Sequence, residues 1–186
     1  MTRRTLVGWL VAGAYVATVW LANIAVAHLG VVSVGFGLVA PAGVYLAGLA
    51  FTLRDVLQDF LGRRAVVAAI LTGAVLSYLL GAGNTIPGGH ASIAVASAAA
   101  FLVSESSDFA VYTPLRERSW LGAVALSNTA GAVIDSVVFL WLAFGGFAFL
   151  KGQIVGKLWI TALSIVVLRL LAHQYATLMA RRTAAP

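Results

Sequence analysis

Apolar residues run along this chain in six long blocks, at roughly residues 6–28, 36–60, 65–82, 91–113, 120–147 and 152–178. Each block comes close to the roughly 20 residues that a helix rising about 1.5 Å per residue needs to cross a bilayer. Between the blocks stand turn formers and charge. These are Gly35 and Gly37, Gly62-Arg63-Arg64, a glycine-rich stretch around Pro87, Pro114-Leu115-Arg116-Glu117-Arg118, and Gly145-Gly146. Strands of a membrane β-barrel would be about 10 residues long and alternate in polarity; these blocks are longer and uniformly apolar. The pattern predicts an all-α, polytopic membrane protein, a compact bundle of six transmembrane helices built as a single domain over residues 1–186.

Composition narrows this further. Of 186 residues, 61% are hydrophobic and 10% charged, against about 45–50% apolar and about 25% charged in soluble domains. Six spans with short connections use up the whole length and leave no room for a soluble domain. The chain has no cysteine, which excludes a disulfide framework, a thiolate metal site and cysteine catalysis. His28, His90 and His173 are scattered without ligand spacing, so neither a metal nor a cofactor is expected.

Charge sets the expected orientation. Arg3 and Arg4, Arg63 and Arg64, Arg116 and Arg118, and Arg181 and Arg182 fall on one side of a six-span chain, against Lys151 and Lys157 on the other. The positive-inside rule then places both termini in the cytoplasm and Asn84–His90 outside, in a multi-pass protein of the cell (inner) membrane. The basic residues sit in short clusters between apolar blocks, which reads as topology; no nucleic-acid partner is expected. Arg3-Arg4 followed by an apolar run and Ala25-Val26-Ala27 imitates a cleavable signal, but the run exceeds the about 7–15 residues of a signal core, so the first helix is expected to be a span.

The acidic residues carry the candidate chemistry. Only Glu117 lies in an evident loop; Asp55, Asp59, Glu105, Asp108 and Asp135 fall within or at the ends of spans. Ionisable groups in that position usually face the bundle interior and mark a site or a pathway. Asp55 and Asp108 each stand eight residues from a loop arginine, about 12 Å deep, with Glu105 deeper and Asp59 shallower and solvated. Asp55/Asp59 and Glu105/Asp108 are helical neighbours on one face. Asp135 and Asn23 form an outer polar level, about 25 Å or more from the inner arginines. No basic residue lies near Asp135 on its own helix, which favours a ligand-binding or proton-carrying role over ion pairing. Arg54 either pairs or contacts ligand, and Arg169, about 18 Å from Arg181, is expected to neutralise an acid on a neighbouring helix. The many serines, alanines and glycines are expected to line helix contacts.

Enzyme signatures are missing: no G-x-x-x-x-G-K-[ST], no H-E-x-x-H and no G-x-S-x-G. Asp55-Val-Leu-Gln-Asp59 beside Gly62-Arg63-Arg64 lacks the further aspartates of a lipid-phosphate transferase site. Three segments do resemble the VUT family of queuosine-precursor transporters. They are Ala22-Asn23-Ile24-Ala25, then Phe51 to Asp59 with Gly62-Arg63-Arg64, and a long third segment. That third segment runs through Ala96-Ser97, Ala100-Phe101-Leu102, Asp108-Phe109-Ala110-Val111-Tyr112, Leu115-Arg116, Ser127-Asn128, Ile134-Asp135-Ser136-Val137-Val138-Phe139 and Ala143-Phe144. The similarity covers about residues 20–147. Asp59 stands where that family usually has Glu, Glu105 where an amide is common, and Arg54 precedes the aspartate.

The resemblance implies a six-span, non-enzymatic importer of 7-deazaguanine bases such as 7-cyano-7-deazaguanine or its aminomethyl relative. The substrate-binding residues are expected among Asp135, Asn23, Asp108, Glu105, Asp55, Asn128 and Phe101. A guanine-like edge offers a ring N–H and an exocyclic amine that one carboxylate accepts together. Phe101, Phe139 and Trp141 are candidates to stack on the heterocycle. The expected partners are this purine-like small molecule and the lipid bilayer. A homo-oligomer or an ATP-driven energising partner is compatible with the length, the latter making the chain a substrate-capturing subunit. A non-transporting membrane protein is the remaining class.

Overall fold

The computed structural model describes residues 2–82 and 91–183, with side chains for residues 2–79 and 95–170. Helix α1, Arg3–Leu29, starts where the Thr2 hydroxyl accepts from Thr5 N (3.2 Å), the usual way an orphan N–H of a first turn is satisfied. It stops at Gly30, whose positive φ of 63° suits glycine. Helices α2 (Val44–Leu61), α3 (Arg63–Ala82), α4 (Ala91–Leu115), α5 (Trp120–Phe144) and α6 (Leu150–Thr183) follow. Asn84–His90, expected outside, lies outside the described residues.

The main departure from the expected pattern lies between α1 and α2. A helix was expected from residue 36, but strands β1 (Val31–Gly35) and β2 (Leu38–Pro41) pair antiparallel there, and α2 begins only at Val44. Phe36 and Gly37 make the turn with φ of 53° and 70°, both positive as a tight hairpin turn of the right twist requires. The cause is local. Val31, Val32, Val34 and Val39 are β-branched and favour extended backbone, and hydropathy alone does not separate them from helix formers. The hairpin is seated on α6, where a Cβ at Gly152 would fall 2.0 Å from Val39 O.

By length and apolar character, three helices among the described residues suffice to cross a membrane: Arg3–Leu29, Trp120–Phe144 and Leu150–Leu170. The surface agrees with a lipid environment. Trp9, Leu10, Leu71, Leu79, Leu126, Trp141 and Leu163 are exposed, while Arg54, Asp55, Glu105, Asp108 and Lys157 are wholly buried. That is the inverse of a soluble protein, in which long charged side chains are almost never inside unless paired.

Helix α2 is the shortest and the most central, packing against α1, α3, α4, α5 and α6. Small residues permit this crowding. A Cβ at Gly48 would lie 2.9 Å from Lys157 O of α6, and one at Gly43 would lie 2.8 Å from Ala22 O of α1. Tyr15, Ala50, Leu57, Val66, Ala69 and Ile70 form the apolar core where α1, α2 and α3 meet.

Candidate functional site

Because α2 touches every other helix, most of its polar side chains face the interior. Arg54 is fully buried, and its guanidinium gathers three carboxylates. Nη2 lies 2.5 Å from both Asp55 Oδ1 and Asp108 Oδ2, and Nε lies 3.3 Å from Glu105 Oε2. The Tyr112 ring sits 5.6 Å from Arg54 Cζ, within cation–π range. Asn128 of α5 completes the group. With its amide oriented to satisfy every neighbour, Nδ2 donates to Asp55 Oδ2 (3.1 Å) and Asp108 Oδ2 (3.2 Å), and the oxygen accepts from Thr52 Oγ1. Gly131, one turn further along α5, leaves space for Asp108, whose Cβ would lie 3.2 Å from a Cβ added there.

A second charged group lies beside the first. Lys157 Nζ donates to Asp135 Oδ2 (2.5 Å) and Ser136 Oγ (2.8 Å). The Ser104 hydroxyl, adjacent in sequence to Glu105, lies 3.3 Å from Asp135 Oδ1. At the arginine-bearing end of the bundle, Asp59 accepts from the Tyr112 hydroxyl (3.1 Å) and Trp120 Nε1 (3.1 Å) and pairs with Arg116 (3.3 Å). Arg4 donates to the Asp59 carbonyl (2.9 Å). At the other end Asn23 donates to Ser77 Oγ (3.2 Å), which donates in turn to Ser97 (3.3 Å). From Tyr112 to Ser97 this polar column spans about 22 Å of α4, most of the thickness of a hydrocarbon core.

Of the residues singled out in the sequence, the structure brings Asp55, Glu105, Asp108 and Asn128 into one cluster and places Asp135 next to it. It corrects several expectations. Asp135 is not an isolated charge: it is paired with Lys157, a residue near the start of the last span whose charge the sequence reading assigns to topology. Asn23 bonds Ser77 instead of Asp135. Arg169 is exposed and has no ion-pair partner among the described residues. It stands nineteen residues from Leu150, about 28 Å along α6, so in a bilayer crossed from Leu150 its charge would reach water. Asp59 is one-third exposed, as its shallow position implies, and its carboxylate also gathers Tyr112, Trp120 and Arg116. Phe101 packs in the apolar core, its ring centroid 5.9 Å from that of Tyr15. Phe139 meets Phe144 edge-on, and Trp141 is exposed and stacked on Phe147.

Sequence reasoning missed Lys157, Tyr15, Thr52 and Gln58, all buried. For Lys157 a signal existed. It stands seven residues after the start of α6, and Asp135 nine before the end of α5, so across a short connection the two share a depth of about 10–14 Å.

A helical bundle with an apolar exterior and buried ionisable groups is an arrangement suited to an integral membrane protein with a functional site in its interior. Residues 41–180, which hold α2 to α5 and most of α6, match the family described as "putative vitamin uptake transporter", and the chain belongs to that family. No curated protein and no solved structure matches this chain.

Proposed function

We propose that this protein spans the cell membrane six times with both termini cytoplasmic and imports a queuosine precursor, a 7-deazaguanine base. One observation carries the reading: the fully buried cluster of Asp55, Glu105, Asp108 and Asn128 on Arg54, at mid-bundle in a family of uptake transporters. A 7-deazaguanine is flat, neutral and edged with donors. Carboxylates and an amide fixed by neighbours accept those donors without reorganising, and a base lacking them would leave acceptors unpaired at a cost of about 1–3 kcal/mol each. The cluster is closed to solvent, so loading a ligand requires the helices around α2 to part, as alternating access does.

The test is complementation. The chain is expressed in cells that neither make nor import the precursor, candidate bases are supplied, and queuosine in tRNA is measured. Restoration by a 7-deazaguanine but not by guanine supports the reading. No restoration by any deazaguanine at normal membrane levels of protein refutes it. Uptake by the purified chain alone in liposomes separates a self-sufficient carrier from a substrate-capturing subunit with an ATP-driven partner.

A further inference from the structure

Three buried carboxylates face one guanidinium in the Arg54 cluster, and the three are not equally served. Asp108 lies 2.5 Å from Arg54 Nη2 and receives the Asn128 amide. Asp55 has the same Nη2 at 2.5 Å and the same amide. Glu105 has only Arg54 Nε at 3.3 Å, and neither of its oxygens accepts a hydrogen bond. Close to it the Tyr15 hydroxyl of α1, wholly buried, likewise has no partner. Asp135, the other charge near Glu105, is already neutralised by Lys157. A carboxylate with one shared cation and no hydrogen bond, in an apolar interior, is costly enough to keep ionised that a proton competes for it.

We propose that Glu105 is a proton-binding site, with the Tyr15 hydroxyl as its hydrogen-bond partner, and that proton exchange there couples uptake to the proton gradient. The proton converts the Glu105 carboxylate to the acid on the side of higher proton activity and passes to water on the other side, leaving the carboxylate. With Glu105 neutral the cluster holds two carboxylates bridged by one guanidinium and one amide. With it ionised, three carboxylates face that one guanidinium, and the uncompensated negative charge rises from one to two. That difference supplies two states of the α1–α2–α4 contact for the gradient to bias. The coupling rests on the transport reading above; the proton site does not.

Purified protein in lipid vesicles is to be titrated by infrared difference spectroscopy, which reads the C=O stretch of a protonated carboxyl. The expected wild-type band shifts in D₂O, is lost in Glu105→Gln, moves in Glu105→Asp and persists in Asp59→Asn. Glu105→Asp keeps an acid and secures the assignment where the amide variant does not fold. A wild type without such a band, or a band unmoved by either variant, overturns the proposal. In vesicles enclosing a pH-sensitive dye, 7-cyano-7-deazaguanine added outside should acidify the lumen. An outside pH one unit lower should support up to about tenfold accumulation per proton. Glu105→Gln should lose that accumulation and Glu105→Asp regain part of it. Uptake without proton movement, or uptake driven by sodium, overturns the coupling. The infrared band without uptake of any deazaguanine upholds the proton site and overturns the substrate reading.

Discussion

Removing one partner of a buried ion pair costs more than removing both, because the survivor is left charged in an apolar medium. Lys157 and Asp135 are such a pair, the lysine fully buried and the aspartate nearly so. Lys157→Met should therefore destabilise the protein by about 3–5 kcal/mol, read as a fall in thermal stability in detergent. The double variant Lys157→Met/Asp135→Leu should recover most of that loss; a single variant as stable as wild type would show that Asp135 is balanced elsewhere. Asp135→Asn asks the functional question, because the amide still offers Lys157 an acceptor oxygen. If Asp135 also contacts the base, affinity should fall by about 1–3 kcal/mol, roughly 5- to 150-fold. A dissociation constant within about twofold of wild type would remove Asp135 from the site. The acids were legible in the sequence because an apolar background makes them conspicuous. Their partners were less so. Lys157, near the start of the last span, reads as a topology charge because it follows Lys151 closely, and the Tyr15 hydroxyl is one of several on long apolar helices. What pairs with what depends on helix neighbours, which periodicity does not specify.

At the level of elements, the position of α2 decides most of the site, and that position depends on glycine. Gly48 faces the α6 backbone at Lys157, where an added Cβ would come within 3.0 Å of both the carbonyl oxygen and Cα. Backbone cannot swing aside as a side chain can, so Gly48→Val must push α2 from α6 and move Lys157 relative to Asp135. Destabilisation of about 1–3 kcal/mol is expected from overpacking, together with weaker ligand binding. Gly13→Ala on α1, with open space around the added carbon, serves as the control and should change stability by no more than about 0.5 kcal/mol. Equal effects at the two sites would show that helix propensity, not the α2–α6 contact, governs. The helices themselves were legible, most to within a few residues, because each is a long apolar block with a turn former at its end. The hairpin was not. Its valines raise hydropathy as leucines would, and the signals that separate the two cases are β-branching and the closely spaced Gly35 and Gly37, which hydropathy alone marks only as a break.

For the molecule as a whole, the informative fact is where the arginines converge. Arg4 at the start of α1 and Arg116 beyond α4 both reach Asp59 near the end of α2, and Arg63 and Arg64 follow directly in sequence. The inference from sequence that these clusters share one side thus has a physical counterpart in one residue that several elements touch. The burial of Lys157 sharpens it. A lysine paired inside the bundle does not act as a loop charge, so on the opposite side Lys151 is left as the basic residue to weigh against the arginines. On the proposed topology such a bias would put the Arg4–Asp59–Arg116 end in the cytoplasm and the hairpin tip outside, since α1 runs from one to the other. The tip is accessible, Phe36 being 81% exposed, and Glu117 in the connection from α4 to α5 is exposed as well. The chain has no cysteine of its own, so single cysteines report cleanly. Phe36→Cys should react with a membrane-impermeant maleimide on intact cells, and Glu117→Cys only after the membrane is permeabilised. The reverse pattern would invert the protein in the bilayer. Labelling of both from outside would mean that the hairpin and the α4–α5 connection lie on one side, which an α1 that crosses the membrane does not allow.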